Sequence, residues 1–194
     1  MHNEDLWQIY ANNGTPIPGK GAAADIFDAD KSLNMANAHI WFWKKATDGK
    51  IEIMLQKRGP VKKRPGWFHI SVGGHINIGE TAIQAAVREA KEEMGFDINP
   101  SKLYFLLTTR VFGRAPHDIA TVYLYELTGN EIFTHDDGEV AGFEWFTLDE
   151  FKKMTEDPVS HMLVPMGDIY FQALLAGFEL KDRGRYENSS QSVN

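Results

Sequence analysis

Runs of four to eight apolar and β-branched residues, broken by turn signals, fill most of this chain and predict strands. Ala38 to Lys45 and Ile51 to Lys57 are two such runs, joined across Asp48-Gly49 as a hairpin. Leu6 to Tyr10 and Thr15 to Lys20 flank Asn12-Asn13-Gly14 and read as a shorter hairpin turning at Asn13-Gly14. Phe68 to Val72 predicts a short strand and Phe143 to Phe146 another. Leu103 to Val111 and Ile119 to Leu127 predict two longer ones, rich in β-branched, aromatic and leucine residues. The pattern changes between Glu80 and Met94, where Ala, Gln, Glu, Lys and Arg predominate; a helix is expected there, with Gly95 as its left-handed cap. Leu148 to Met154 begins a second helix after Thr147 as N-cap, and Asp168 to Phe178 a third, with Gly177 near its end.

Mixed strands, one long internal helix and helices near the end predict an α/β fold, an α/β/α sandwich around a mixed β-sheet. No internal repeat is present. Residues 1–35 read as an N-terminal extension carrying the short hairpin and packed on the domain. Residues 36–180 are the domain, and residues 181–194 a polar, flexible tail.

Composition narrows the classes. With 194 residues, 43% hydrophobic and 24% charged, the chain has the make-up of a globular protein with one substantial core. Neither an apolar stretch of membrane-spanning length nor a secretory leader is visible, so a cytoplasmic location and no membrane partner are expected. A net charge of -7 argues against general affinity for nucleic-acid polymers. The absence of cysteine removes disulfides, thiolate metal sites and cysteine nucleophiles together.

The candidate chemistry is concentrated in one stretch. Glu89, Glu92 and Glu93 lie three and four positions apart on the predicted helix and are expected to share one face, with Arg88 able to answer only Glu92. Crowded carboxylates without enough cations call for a divalent ion. Oxygen-only ligands select Mg²⁺ or Mn²⁺ over zinc, and Mg²⁺ completes its shell with phosphate oxygens. Just upstream, Lys57, Arg58, Lys62, Lys63 and Arg64 form a basic stretch before Pro65-Gly66-Trp67. A cationic loop beside an anionic, metal-binding helix suits a polyanionic substrate bridged by metal. Arg58 is the strongest substrate candidate, because it ends a predicted strand; Lys57, Arg64 and Trp67 are further ones. Phe68 is expected in the core. Of the seven histidines, only His75 is given a role, a supporting one behind the carboxylates.

Gly74, Glu80, Arg88, Glu89, Glu92, Glu93 and Gly95 stand at the spacing of the Nudix box, so the chain resembles the Nudix hydrolases. Ala90 and Phe96 depart from the aliphatic residues usual at two softer positions of the box. The resemblance implies the Nudix sandwich for the domain. It makes Glu89, Glu92 and Glu93 the metal-binding carboxylates, Glu92 and Glu93 catalytic as well, and the Gly73 carbonyl a further metal ligand. Arg88, which the pattern keeps at the reaction centre, holds loop and helix together with Gly74, Glu80 and Gly95. Asp136-Asp137-Gly138-Glu139 resembles the family's late acidic loop, with Glu139 as the extra metal ligand or general base. The expected reaction is Mg²⁺-dependent hydrolysis of a nucleoside diphosphate linked to a moiety X.

Leu55-Gln56-Lys57-Arg58, Pro65-Gly66-Trp67 and Val72-Gly73-Gly74-His75 are similar to the subgroup related to isopentenyl diphosphate isomerase. That resemblance brings in isomerisation as an alternative, although Gly73 stands where the isomerase has its cysteine. A Nudix module that senses a nucleotide without cleaving it is another. Family members are often dimers, so a homodimer is an expected assembly.

Overall fold

Alternate residues of one long strand set the layering. A computed structural model of the chain describes residues 6–22, 33–111, 118–134 and 138–183. In it β3 (Asn34–Lys45) sends Ala36, Ala38, Ile40 and Phe42 to one face of the sheet and Trp41 and Trp43 to the other. Successive side chains of a strand point to opposite sides, so a strand buried on both needs apolar residues at nearly every position. On the first face lies helix α1 (Ala82–Met94), with Ala85, Ala86, Ala90 and Met94 inward. On the second lie α2 (Leu148–Glu156) and α3 (Asp168–Asp182), which contribute Phe151, Met154, Tyr170, Phe171, Leu174 and Phe178. Helices on both faces of a mixed sheet make the expected sandwich.

Among the described residues the sheet has nine strands. Along one edge β3 pairs in parallel with β8 (Asp118–Glu126), from Met35↔Asp118 to Trp43↔Glu126. β7 (Tyr104–Val111) pairs antiparallel with the far side of β8. The other edge of β3 is shared between β1 (Trp7–Tyr10), β6 (Val72–His75) and β4 (Ile51–Arg58). β2 (Pro16–Ala22) pairs with β1. β5 (Phe68–His69) and β9 (Val140–Thr147) pair with the two edges of β4.

Three expectations shift. The single strand read from Phe68 to Val72 is two, because the chain leaves β4 and joins β3 at the bend between β5 and β6. Ser71 bridges the opening: its Oγ accepts from the Phe42 N–H at 2.9 Å and donates to the Met54 carbonyl at 2.5 Å. Helix α1 starts at Ala82 rather than Glu80, since Thr81 caps it in a reciprocal box with Gln84 and leaves Glu80 outside. Helix α3 runs past Gly177, which packs instead of stopping it: a Cβ there would lie 2.7 Å from Leu106 Cδ1.

The early hairpin turns as read, with the Gly14 N–H on the Ala11 carbonyl, and it is continuous with the sheet through Ile9↔Met35. Residues 184–194 of the expected tail and Asp136 and Asp137 lie outside the described residues. Among the described residues no helix is long and apolar enough to cross a membrane.

Candidate active site

Small residues bring helix α1 close to the sheet. Its inward face is alanine, the strand beneath offers Ala36 and Ala38, and Gly73-Gly74 of β6 carries no side chain at all. Close approach of backbones is what such residues permit. A Cβ on Gly74 would fall 1.8 Å from Glu89 Oε1, so the Glu89 carboxylate rests in the space that glycine leaves. At the far end of the helix Gly95 adopts φ 62, and its N–H reaches the carbonyls of Ala90 and Lys91. That left-handed cap is the one read from the sequence.

The three glutamates divide. Glu93, only 7% exposed, accepts from Gln56 Nε2 at 3.0 Å and from the Gly73 N–H at 3.4 Å. Glu89 lies one turn earlier on the same inner stripe. Glu92 stands outside it, on the exposed shoulder of the helix, where it accepts from Arg88 Nη1 at 2.9 Å.

Arg88 serves more partners than the sequence suggested. It forks onto Glu80 through Nε at 2.9 Å and Nη2 at 3.0 Å, donates to Glu89 Oε1 at 2.7 Å, and reaches the His75 carbonyl at 2.8 Å. Glu80 also accepts from the Asn77 N–H at 2.9 Å. Glu80 and Arg88 thus tie the loop 75–80 to the helix.

Burial dominates the electrostatics. It pushes the Glu93 carboxyl up to about 8, helped by the nearby Glu89 charge and opposed by Lys62, the Gly73 N–H and Gln56. Burial also raises Glu89, against the pull of Arg88. For Arg88 burial works against the charge, but the Glu80 hydrogen bond and the Glu89 carboxylate outweigh it and leave the guanidinium raised. Two desolvated carboxylates side by side are a poor apolar core and a good cation site. Their donors are all oxygen, which suits a hard dication such as Mg²⁺ or Mn²⁺. Among the described residues no three His, Asp or Glu side chains form a preformed metal cluster. The donor chemistry of the Glu89 and Glu93 pair therefore fits an ion. Glu92 accepts from Arg88 through Oε2 alone.

The remaining candidates fall in two groups. Glu139 is brought to the loop 59–66: its carbonyl accepts from the Gly59 N–H at 2.7 Å, and its carboxylate pairs with Lys62. A Cβ on Gly59 would stand 2.0 Å from the Gly138 carbonyl oxygen, so this glycine is what lets the two segments touch. Lys62 in turn lies near enough to Glu93 to oppose its upward shift.

Arg58, Lys57, Arg64 and Trp67 have other neighbours. Arg58 is buried, donates from Nε to the Lys63 carbonyl at 2.7 Å, and anchors the loop 59–66 from inside. Lys57 follows Ile51, Ile53 and Leu55 on the opposite face of β4 from Gln56, where it meets Glu144 at 3.4 Å and the Phe68 ring. Trp67 packs against the core on that same face, with the Arg64 guanidinium 4.8 Å above its ring. Phe68 joins that core too, edge-on to Phe146.

Gln56 was missed as a functional residue. Its signal was present: a polar amide at a β4 position whose same-face neighbour, Met54, is wholly buried. The Lys62 to Glu139 pair had no signal, because 77 positions separate the partners.

Comparison with known proteins agrees with this geometry. The NUDIX domain model matches residues 38–164. An ADP-ribose pyrophosphatase of Methanocaldococcus jannaschii is 32% identical over 110 residues, 57% of this chain and 62% of that protein. An isopentenyl-diphosphate Delta-isomerase of Paenarthrobacter aurescens is 29% identical over 152 residues, 76% of this chain and 78% of that one. Among solved structures, a Deinococcus radiodurans protein superposes with a TM-score of 0.60 at 17% identity, over 88% of this chain and 98% of its own, and so shares the fold. With box, fold and family model in agreement over most of its length, the chain belongs to the Nudix family of pyrophosphate-bond hydrolases.

Proposed function

We propose that this chain hydrolyses the pyrophosphate bond of a nucleoside diphosphate linked to a second moiety, and that it needs Mg²⁺ or Mn²⁺ to do so. The observation that carries the reading is the buried Glu89 and Glu93 pair laid over Gly73-Gly74, two desolvated carboxyl groups of which Arg88 answers only Glu89 directly. Similarity to a protein named an ADP-ribose pyrophosphatase supports the substrate class.

Cleaving a phosphoanhydride means placing water in line with the leaving oxygen while charge spreads over the phosphoryl group. A divalent ion on Glu89 and Glu93, with Glu92 and the Gly73 carbonyl completing its protein ligands, would neutralise that charge and acidify the attacking water. Gln56 fixes the direction of the Glu93 carboxylate. Arg88 sets loop against helix, so the carboxylates are aimed before substrate arrives. Glu139, held at the rim by Lys62, accepts the water proton at its carboxylate. Lys62 and its neighbour Lys63 offer cations to the outer phosphate oxygens. Arg58 serves them indirectly, by holding their loop.

The isomerase reading lacks its thiol. That thiol would stand at Gly73, and the sequence holds no cysteine. The deciding experiment incubates the protein with ADP-ribose, dinucleoside polyphosphates, nucleotide sugars, nucleoside triphosphates and isopentenyl diphosphate at millimolar Mg²⁺, followed by product mass. Release of a nucleoside monophosphate, abolished by chelation, is expected. Isopentenyl diphosphate converted without phosphate release would overturn hydrolysis, and tight nucleotide binding with no product from the whole panel would favour a sensor.

A further inference from the structure

The N-terminal hairpin lies outside the matched family span of residues 38–164, yet it grips the loop that the box depends on. The Gln8 N–H donates to the Ile76 carbonyl at 2.9 Å, and the Ile78 N–H donates to the Leu6 carbonyl at 2.8 Å. Between them Trp7 and Asn77 stand opposite each other as an antiparallel bridge. The loop 75–78 is therefore bound to β1 as one more strand would be.

Side chains add to the backbone bonds. The Trp7 indole stacks on the His75 imidazole, with ring centroids 3.4 Å apart and planes 9° from parallel. On its other side the loop is held by Glu80 and Arg88: the Asn77 N–H goes to Glu80 Oε2, and the His75 carbonyl takes Arg88 Nη2 at 2.8 Å. Arg88 then donates to Glu89 and Glu92. A continuous chain of contacts thus runs from Trp7 through His75 and Arg88 to Glu89 and Glu92.

We infer that Trp7 is a positioning residue for the hydrolytic site: by stacking on His75 and pinning the loop 75–78, the N-terminal hairpin fixes where Arg88 holds Glu89 and Glu92. This rests on the hydrolase reading above. Trp7 acts on the site through the loop. Its effect passes through a loop backbone whose displacement by a fraction of an ångström moves a bidentate arginine. The stack also gives His75 a use that does not involve its titration: it is the flat surface against which the hairpin registers.

The test compares Trp7→Ala, Trp7→Phe and a Glu93→Gln control in the full chain, using whichever diphosphate the wild-type protein cleaves. Trp7→Ala is expected to lower kcat roughly tenfold or more, with KM moved much less, as misaimed catalytic groups require. Trp7→Phe, which keeps a ring on His75, is expected to recover most of that loss. Independently of turnover, Mn²⁺ affinity measured by calorimetry should weaken several-fold in Trp7→Ala and stay near wild type in Trp7→Phe. If the wild-type protein and Glu93→Gln are equally inert on every diphosphate, the hydrolase reading fails, and the inference with it. If the wild type turns over, Glu93→Gln does not, and Trp7→Ala keeps both kcat and Mn²⁺ affinity, the inference alone is overturned. A fall in melting temperature with kcat and Mn²⁺ affinity unchanged would count the same way, since it would show the hairpin to be structural only.

Discussion

The two faces of the sheet solve opposite problems. On the α2 and α3 face the residues are large and mostly apolar: Trp41, Phe151, Tyr170 and Phe178 are almost wholly buried. The polar atoms there answer one another, Trp41 Nε1 donating to Tyr170 Oη at 2.8 Å with His39 Nδ1 at 3.0 Å from the same oxygen. On the α1 face Ile40, Phe42 and Met54 are buried as deeply, but where the helix crosses β3 and β6 the residues are alanines and glycines, and charged groups are drawn in over them. Bulk on one side buries apolar area and stabilises the fold. Smallness on the other shortens the distance between helix and strand, so that carboxylates lose water they would otherwise keep. Stability and chemistry are thus divided between the faces, and substitutions should respect that division.

The largest effect is expected at Glu93. Glu93→Gln keeps the size and the Gln56 contact in altered form but removes a cation ligand, so kcat should fall about a thousandfold while the fold survives. Steady-state kinetics with metal, beside a thermal melt, checks this. Comparable losses of activity and stability would contradict the division.

Phe178→Ala tests the opposite face. Removing a buried phenyl ring should cost about 3–5 kcal/mol in denaturant unfolding, while kcat per folded molecule stays near wild type. A loss of kcat at temperatures where the variant is folded would show that the aromatic face reaches the chemistry.

Gly74→Ala should act in the reverse sense. The added methyl lands on the far end of the Glu89 side chain, which can turn aside, so stability changes little. The carboxylate is displaced, and a drop in kcat/KM of roughly tenfold to a hundredfold is expected.

The smallest expected effect is on pH. Glu93, raised to about 8 by burial and then by the Glu89 charge, binds its proton more tightly folded than unfolded. In chelator-treated protein its contribution to stability is complete below the ordinary carboxyl range and is lost as pH rises through about 8. Melting temperature should therefore decline between pH 5 and 8.5. Glu93→Gln should flatten that slope, and equal slopes in both proteins would show that the charge is not felt by the fold.

Much of this was legible beforehand. Strand positions followed from runs of apolar residues, the hairpin turns from Asn-Gly and Asp-Gly, and the α1 C-cap from Gly95. What misled were features whose meaning depends on a distant neighbour. Gly177 looked like a helix stop, yet it lies inside α3 because Leu106 of another strand needs its space. Arg58 looked like a phosphate ligand at a strand end, and the structure turns it inward onto the Lys63 carbonyl. Arg88 was assigned one carboxylate by helical spacing, and three reach it once the loop 75–80 folds back over the helix.

By itself the sequence determined the elements, the two-sided burial of the central strand and the family spacing of the glutamates, because each follows from local periodicity and from residue types a few positions apart. Only the tertiary structure decided which two glutamates lie buried together, that Gln56 and Lys62 attend them, and that Trp7 braces the loop from the other end of the chain. Those choices come from packing distance: a contact between residues separated by dozens of positions is set by how closely helix and strand can approach, and here alanine and glycine side chains set that approach.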